Sequence, residues 1–547
     1  MPDYLNNWIV RLSKNKIFWL FCLTIIVHGF LLLMDGMYWD DFLLVDKLSY
    51  ADFSKISGFF DGAGVILNLA ASLHWGVKLL FGNNFIFGCR VFTVSLLFIN
   101  AVLVYKISSK FNYFGELGAF FIAALFLTYP PFKIASLMIL WPAFLCLSVF
   151  LLAIYLSTKE KAVILESIAV WKRVLILIMF AFSFLLNSLL VFYYGFLALT
   201  LFHYTKKRAK LMDNLFNFIV KYWGFIILPF VFYIIKITVY PTHAIFEGYN
   251  RLFISSNYEV RHAINCFGVN LYHSITPLMA LSSNLYVNLI LLSLILLVGW
   301  KLWEKNKINK VSSKDVKVLL WGFFLLLLSV FPYAAVGDSV NPAKIYTYRH
   351  LILASIPAAL IIYVLVQIFS NMCRFPRYII NAIYCFLIIT FSSSIVGAYL
   401  SIQLLWIKDQ AIIARLSDYH SAKRFSTFYI DMPAEIHDHF WYEWGHIFKY
   451  AWGERRWIGY GRPRWLEGRV KVNRDFNNYF NLPEYDPHGA QAELIIQYPS
   501  YSFRQKTAIL AKYYRYKFWP TDDQPRDQFL KSLVSIEIRP KSNKKLK

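Results

Sequence analysis

Two adjacent carboxylates, Asp40 and Asp41, stand in the stretch Asp35-Gly-Met-Tyr-Trp-Asp-Asp-Phe42, directly after the first long apolar segment. Ionisable groups at a membrane boundary are costly unless solvated or paired, which makes them functional candidates. Tyr38, Trp39 and Phe42 surround the pair, and partial desolvation raises a carboxyl pKa. Such a group can act as general base toward a hydroxyl or an amine. Adjacent residues point to opposite faces of a strand and about 100° apart on a helix. One aspartate is therefore expected to do chemistry and the other to brace or orient. The competing reading is a hydrated loop whose aspartate caps a helix.

The elements that must position these residues are membrane helices. The 547-residue chain is 58% apolar and 19% aromatic, a composition suited to a helical membrane protein and not to a soluble domain. A span needs roughly 20 mostly apolar residues. Spans are expected at about 17–34, 88–107, 115–131, 134–156, 174–188, 189–204, 219–239, 285–303, 317–335, 350–369 and 378–400. Residues 63–81 mix leucines with Asn68, His74 and Lys78 and read as an amphipathic interfacial helix.

Charge sets the expected topology. With the N-terminus inside, the inner loops hold Lys106 and Lys110, Lys159 to Arg173, Lys206 to Lys210, Lys301 to Lys317, and Arg374 with Arg377. The outer loops hold fewer cations. The net charge of +24 is thus ascribed to topology and to anionic lipid or lipid phosphate, not to nucleic acid. Eleven spans put the C-terminus outside. The expected domains are 1–404, a transmembrane domain whose first outer loop is 35–84, and 405–547, an extracytoplasmic domain. Strand-like runs at 427–430, 492–497 and 533–538, with helices near 408–424 and 502–516, make the latter a small α/β domain. The first apolar segment lacks a small-residue cleavage site and reads as a retained helix. None of the six cysteines forms a CxxC pair, which argues against a zinc site or a disulfide framework.

A first helix, an acidic loop, an amphipathic segment and then "FGNNFIFGCRVFTVSLLF" opening the second span resemble the GT-C glycosyltransferases. "FPYAAVGDSVNPAKIYTYRHLIL" resembles the outer loop and span entry of bacterial members. The fold class is accordingly a polytopic α-helical membrane protein, GT-C-like, with about eleven transmembrane helices. The resemblance implies inverting transfer of a sugar from a polyprenyl-phosphate donor to a cell-envelope glycan, lipid or protein. Transfer would take place on the outer face of a bacterial inner membrane, with Asp40 or Asp41 as base. It implies no cofactor; a divalent Mg or Mn held by Asp40 and Asp41 is the less favoured variant.

A leaving phosphate gathers negative charge, which preorganised Arg or Lys stabilises. Arg349 and His350 follow Lys344, Tyr346 and Tyr348 at a span entrance, and Arg90 sits at the second span. These are the expected phosphate ligands, because a guanidinium grips phosphate oxygens in pairs. Arg251, Arg261 and His262 lie in a long outer loop, and together with Tyr38, Trp39, His74, Asp338, Tyr346 and Tyr348 they complete the substrate-binding candidates. Each cation alone also reads as an interfacial anchor, and Asp338 also reads as the start of a turn. Two other functions fit the sequence: an O-antigen ligase or polymerase using a diphosphate-linked glycan through Arg and His, and a flippase with the acidic loop as gate. No Walker-type phosphate loop supports ATP-driven transport.

Overall fold

The computed structural model describes residues 15–49, 52–64, 68–111, 113–159, 162–163, 169–205, 211–243, 257–276, 313–342, 344–373, 375–432, 439, 441–454, 457–461, 490–519 and 523–540. Arg251 and the span expected at 285–303 lie outside them.

The chain is a helical membrane protein. Among the described residues, seven helical stretches are long and apolar enough to cross a membrane: Lys16–Leu33, Leu69–Ser109, Met138–Ser157, Asn214–Val239, Ser313–Ala335, Ser355–Met372 and Arg377–Leu416. Gly115–Leu127 followed by Pro130–Ser136, bent by 52°, passes the same test only as a pair, and counted as one broken span it makes eight. Asn187–Phe202 is apolar but shorter. The segment expected to lie at the interface forms the helix Leu69–Phe81, which runs through a short 3-10 turn, Gly82–Asn84, into Phe85–Ser109.

Contacts divide the chain into two compact units. The first comprises residues 1–33, 64–241 and 248–399, and the second 34–63, 242–247 and 400–547. The acidic stretch, grouped by sequence with the membrane helices, thus shares a unit with the C-terminal residues.

The first unit is a helix bundle. A two-residue hairpin, β1 (Thr158–Lys159) with β2 (Ala162–Val163), follows one of its helices. Its broken span exists because Pro130 and Pro131 cannot donate main-chain hydrogen bonds. The carbonyls freed there are met from other helices. Tyr399 Oη donates to the Phe132 carbonyl (3.1 Å), and Arg90 donates to the carbonyls of Ala135 (3.4 Å) and Ser136. Irregular backbone is tolerated at membrane depth only when satisfied in this way.

The second unit is built on four strands: β3 (Thr427–Asp431), β4 (Ile458–Gly461), β5 (Ala492–Gln497) and β6 (Ser535–Pro540). Their order is β4-β3-β5-β6. The β3 strand runs parallel to β4 and β5, and β6 is antiparallel to β5. The helix Trp441–Trp452 lies between β3 and β4 in sequence, as a parallel pair requires. Ala492, Leu494 and Ile496 alternate onto the buried face of β5 and pack with Phe428, Trp444, Phe448 and Trp452. Helix Phe503–Phe518 opens with a reciprocal Ser502–Gln505 capping box. The expected strands are present; β4 and the helix Trp441–Trp452 were not expected. That helix carries six aromatics and little aliphatic periodicity, so its sequence gives a weak signal.

Candidate functional site

Residues 34–63 reach the core of the second unit through the acidic stretch. Gly36 lets the chain pass close to Trp406, whose Cβ would lie 2.8 Å from an added Cβ, with the Tyr38 hydroxyl closer still. Residues Tyr38 to Asp41 form a turn closed by Asp41 N–H donating to the Tyr38 carbonyl (3.1 Å). Asp41 then starts the helix Asp41–Ser49, and its Oδ2 accepts from Tyr38 N–H (3.3 Å). Asp41 is fully buried, and through that bond its side chain braces the turn. Asp40 is half-buried, and its Oδ1 accepts from the Tyr442 hydroxyl (3.0 Å). The two carboxylates therefore serve different partners, as adjacency demands.

Trp39 has φ +54°, a left-handed conformation that costs a bulky residue on the order of 1–3 kcal/mol. Its N–H donates to Glu443 Oε1 (3.1 Å). Behind it lies a buried chain of charges. Glu443 Oε2 is 3.4 Å from His439 Nδ1, His439 Nε2 is 2.9 Å from Asp409 Oδ1, and Lys408 Nζ is 3.6 Å from the same oxygen. Burial alone would lower the His439 pKa. The charge and hydrogen bond of Asp409, joined by those of Glu443, outweigh it and raise the pKa to about 9, so the ring is an imidazolium at neutral pH. Asp46 pairs with Lys449 (2.8 Å), and Asp35 accepts from Gln403 (2.9 Å) and Tyr513 (2.8 Å) beside Lys517 (3.2 Å). None of these partners stood out in the sequence. The only clue was an excess of polar residues within aromatic runs.

The first unit gathers the cations. The 3-10 segment Ile345–Leu351 packs beside Pro130–Ser136. Lys133 Nζ sits 3.7 Å above the Tyr348 ring, a cation–π contact. Arg349 Nε donates to His350 Nε2 (3.3 Å). Burial, then the Arg349 charge, pushes the His350 pKa down to about 3. The ring is therefore neutral, with Nε2 the acceptor and the proton assigned to Nδ1. The 3.7 Å approach of Asp338 to the same Nε2 is accordingly not an ion pair. His350 Nδ1 is buried and has no hydrogen-bond partner among the described residues. Tyr333 stacks on the ring at 4.4 Å. Burial raises the Asp338 pKa, opposed by Arg349. His262 approaches the Gly337 carbonyl (3.1 Å), and Asn270 binds the Asp338 carbonyl (2.9 Å) and the Val340 N–H (2.8 Å). His273 is pushed down by burial and by the charge of Lys133.

Of the expected residues, Arg349, His350, Asp338, Tyr348 and His262 thus come together, with Lys133 added. Lys133 lies between the spans expected at 115–131 and 134–156, so it read only as an outer-loop cation. Lys344 precedes that segment and Tyr346 lies within it, both half-buried, and Arg261 is exposed one residue before His262. Arg90 and His74 do other work. Arg90 is fully buried on the carbonyls that close the broken span, and buried His74 accepts from the Trp141 indole (3.1 Å). Among the described residues, no group of three or more His, Cys, Asp or Glu is arranged to hold a metal ion. A scan against protein families, and comparisons with curated proteins and with solved structures, find no match.

Proposed function

We propose that this chain is a GT-C-type glycosyltransferase of about eleven spans that moves a sugar from a polyprenyl-phosphate donor to a cell-envelope acceptor. The observation that supports this most is the cluster of Lys133, Arg349 and His350 beside a broken span. In secondary transporters, broken helices line substrate and ion sites, with helix N-termini facing anionic groups. Lys133 and Arg349 supply charge for a phosphate, and the His350 Nδ1–H is a buried donor that a substrate oxygen would satisfy. Asp40 is the base, because it is the more accessible of the two aspartates.

The step balances simply. Asp40 takes the proton of the acceptor hydroxyl or amine, and the acceptor attacks the anomeric carbon. The bond from that carbon to the phosphate oxygen breaks with inversion, and its electron pair leaves on polyprenyl phosphate. In this reading the membrane is a bacterial inner membrane, with the N-terminus cytoplasmic and the C-terminal domain on the opposite face, where it helps hold the acceptor.

The test is reconstitution in liposomes with radiolabelled undecaprenyl-phosphate sugars and envelope extract, with and without EDTA. Transfer that disappears in Asp40→Asn, while the variant still folds, supports the reading, and the EDTA arm reports any divalent ion at Asp40 and Asp41. Folded protein that transfers from no monophosphate donor overturns it. The grouping of Arg349, His350, His262 and Lys133 favours one second reading, transfer from a diphosphate-linked glycan without a carboxylate base. That reading predicts mild effects of changing Asp40 and Asp41.

A further inference from the structure

We infer that Glu443 is a positioning residue for Asp40, acting by holding the main-chain turn at Trp39 in its left-handed conformation. The inference rests on the reading of Asp40 as base. The turn from Tyr38 to Asp41 has positive φ at its second residue, a place that normally belongs to glycine or asparagine. Tryptophan has no local means of favouring that conformation. The hydrogen bond from its N–H to Glu443 Oε1, at 3.1 Å, supplies one.

Glu443 is well placed to hold rather than follow. It is 1% exposed, and its second oxygen faces His439, which is itself fixed by Asp409. Its neighbour on the same helix, Tyr442, binds the Asp40 carboxylate at 3.0 Å. Consecutive residues of one helix thus grip consecutive residues of one turn, Glu443 on the Trp39 main chain and Tyr442 on the Asp40 side chain. Outliers of this kind persist only where the surroundings over-determine them, and they concentrate at functional sites. If Trp39 relaxed to negative φ, the peptide plane before Asp40 would turn and re-aim its carboxylate.

The test separates this role from simple bracing of the core. Glu443→Ala should lower kcat about 10²-fold, the scale of a misplaced catalytic group, with KM for the donor unchanged. In that background Trp39→Gly should restore kcat about tenfold over Trp39→Ala, since glycine adopts positive φ freely and both changes remove the ring. Equal activity of the glycine and alanine forms overturns the inference, as does full activity of Glu443→Ala while Asp40→Asn is inactive. Should Glu443→Ala not fold, Glu443→Gln, which keeps an oxygen to accept from the Trp39 N–H, is compared with Glu443→Met, which does not, and equal kcat in the two overturns the inference. If the unaltered protein transfers no sugar, the glycosyltransferase reading fails separately. Hydrogen exchange then decides the turn: faster exchange confined to residues 38–42 in Glu443→Ala supports it, and unchanged exchange overturns it.

Discussion

The two units bury ionisable side chains in opposite ways. In the first, three are matched to neutral groups: His28 to the Tyr399 hydroxyl (2.8 Å) and the Leu127 carbonyl (3.0 Å), His74 to an indole, and Arg90 to two carbonyls, while His350 is met by the Arg349 guanidinium. In the second, charges meet charges: Asp409 with His439 and Lys408, His439 with Glu443, and Asp46 with Lys449. The difference follows from what each unit must satisfy. A broken span frees carbonyls that need donors, and those donors can come singly. A mixed sheet satisfies its own main chain, so many of the charges buried in this unit pair with one another, although Asp41 and Glu443 also accept from main-chain N–H groups. Removing one partner of a buried pair strands a charge, whereas removing a donor strands a dipole.

The largest effect on stability should follow from breaking the charge chain. Asp409→Ala should destabilise the protein by about 3–5 kcal/mol, because it leaves His439 and Lys408 without their counter-ion. Arg90→Met should cost about 1–3 kcal/mol by orphaning carbonyls. Thermal melts of the full chain in detergent read both, and equal losses would erase the contrast.

Next comes pH. The folded-state pKa of His439, about 9, lies above its ordinary 6.5. Its contribution is complete below pH 6.5 and is lost as pH rises to about 9, a change of about 3 kcal/mol. His350 runs the other way, because its folded pKa of about 3 lies below 6.5. Its neutral form is favoured above pH 6.5, and stability falls as the pH drops below that value. Melts from pH 5 to 9 should therefore narrow on the alkaline side in the unaltered protein. His439→Phe should remove that alkaline loss.

A smaller effect is expected at the cation cluster. Lys133→Ala should raise the donor KM about tenfold, removing about 1.4 kcal/mol of binding with little change in fold. Smallest is the exposed pair Arg539–Glu537 (2.7 Å) on β6, whose removal should leave the melting temperature unchanged.

Much of the architecture was legible in the sequence, for a physical reason. Long apolar runs and period-2 strands are local signals, and they mark the helices of the first unit and three strands of the second. Asp40 and Asp41 were legible because carboxylates beside an apolar span are conspicuous. Arg349, His350 and Asp338 were legible because they share one short segment. The missed residues act across distance. Glu443 meets Trp39 from 404 positions away, and no periodicity encodes that. Lys133 was hidden because it falls between the spans expected at 115–131 and 134–156, where a single cation reads as an ordinary loop residue. Arg90 and His74 show the converse: a lone polar group in an apolar segment announces importance but not whether its partner is a substrate or a protein group.

The most direct test of the proposed chemistry is single-turnover transfer by Asp40→Asn, with donor binding measured on the same preparation. The account predicts unchanged donor binding and transfer slowed by about 10²–10⁴-fold, the usual worth of a general base. Transfer at the unaltered rate with donor bound would contradict it.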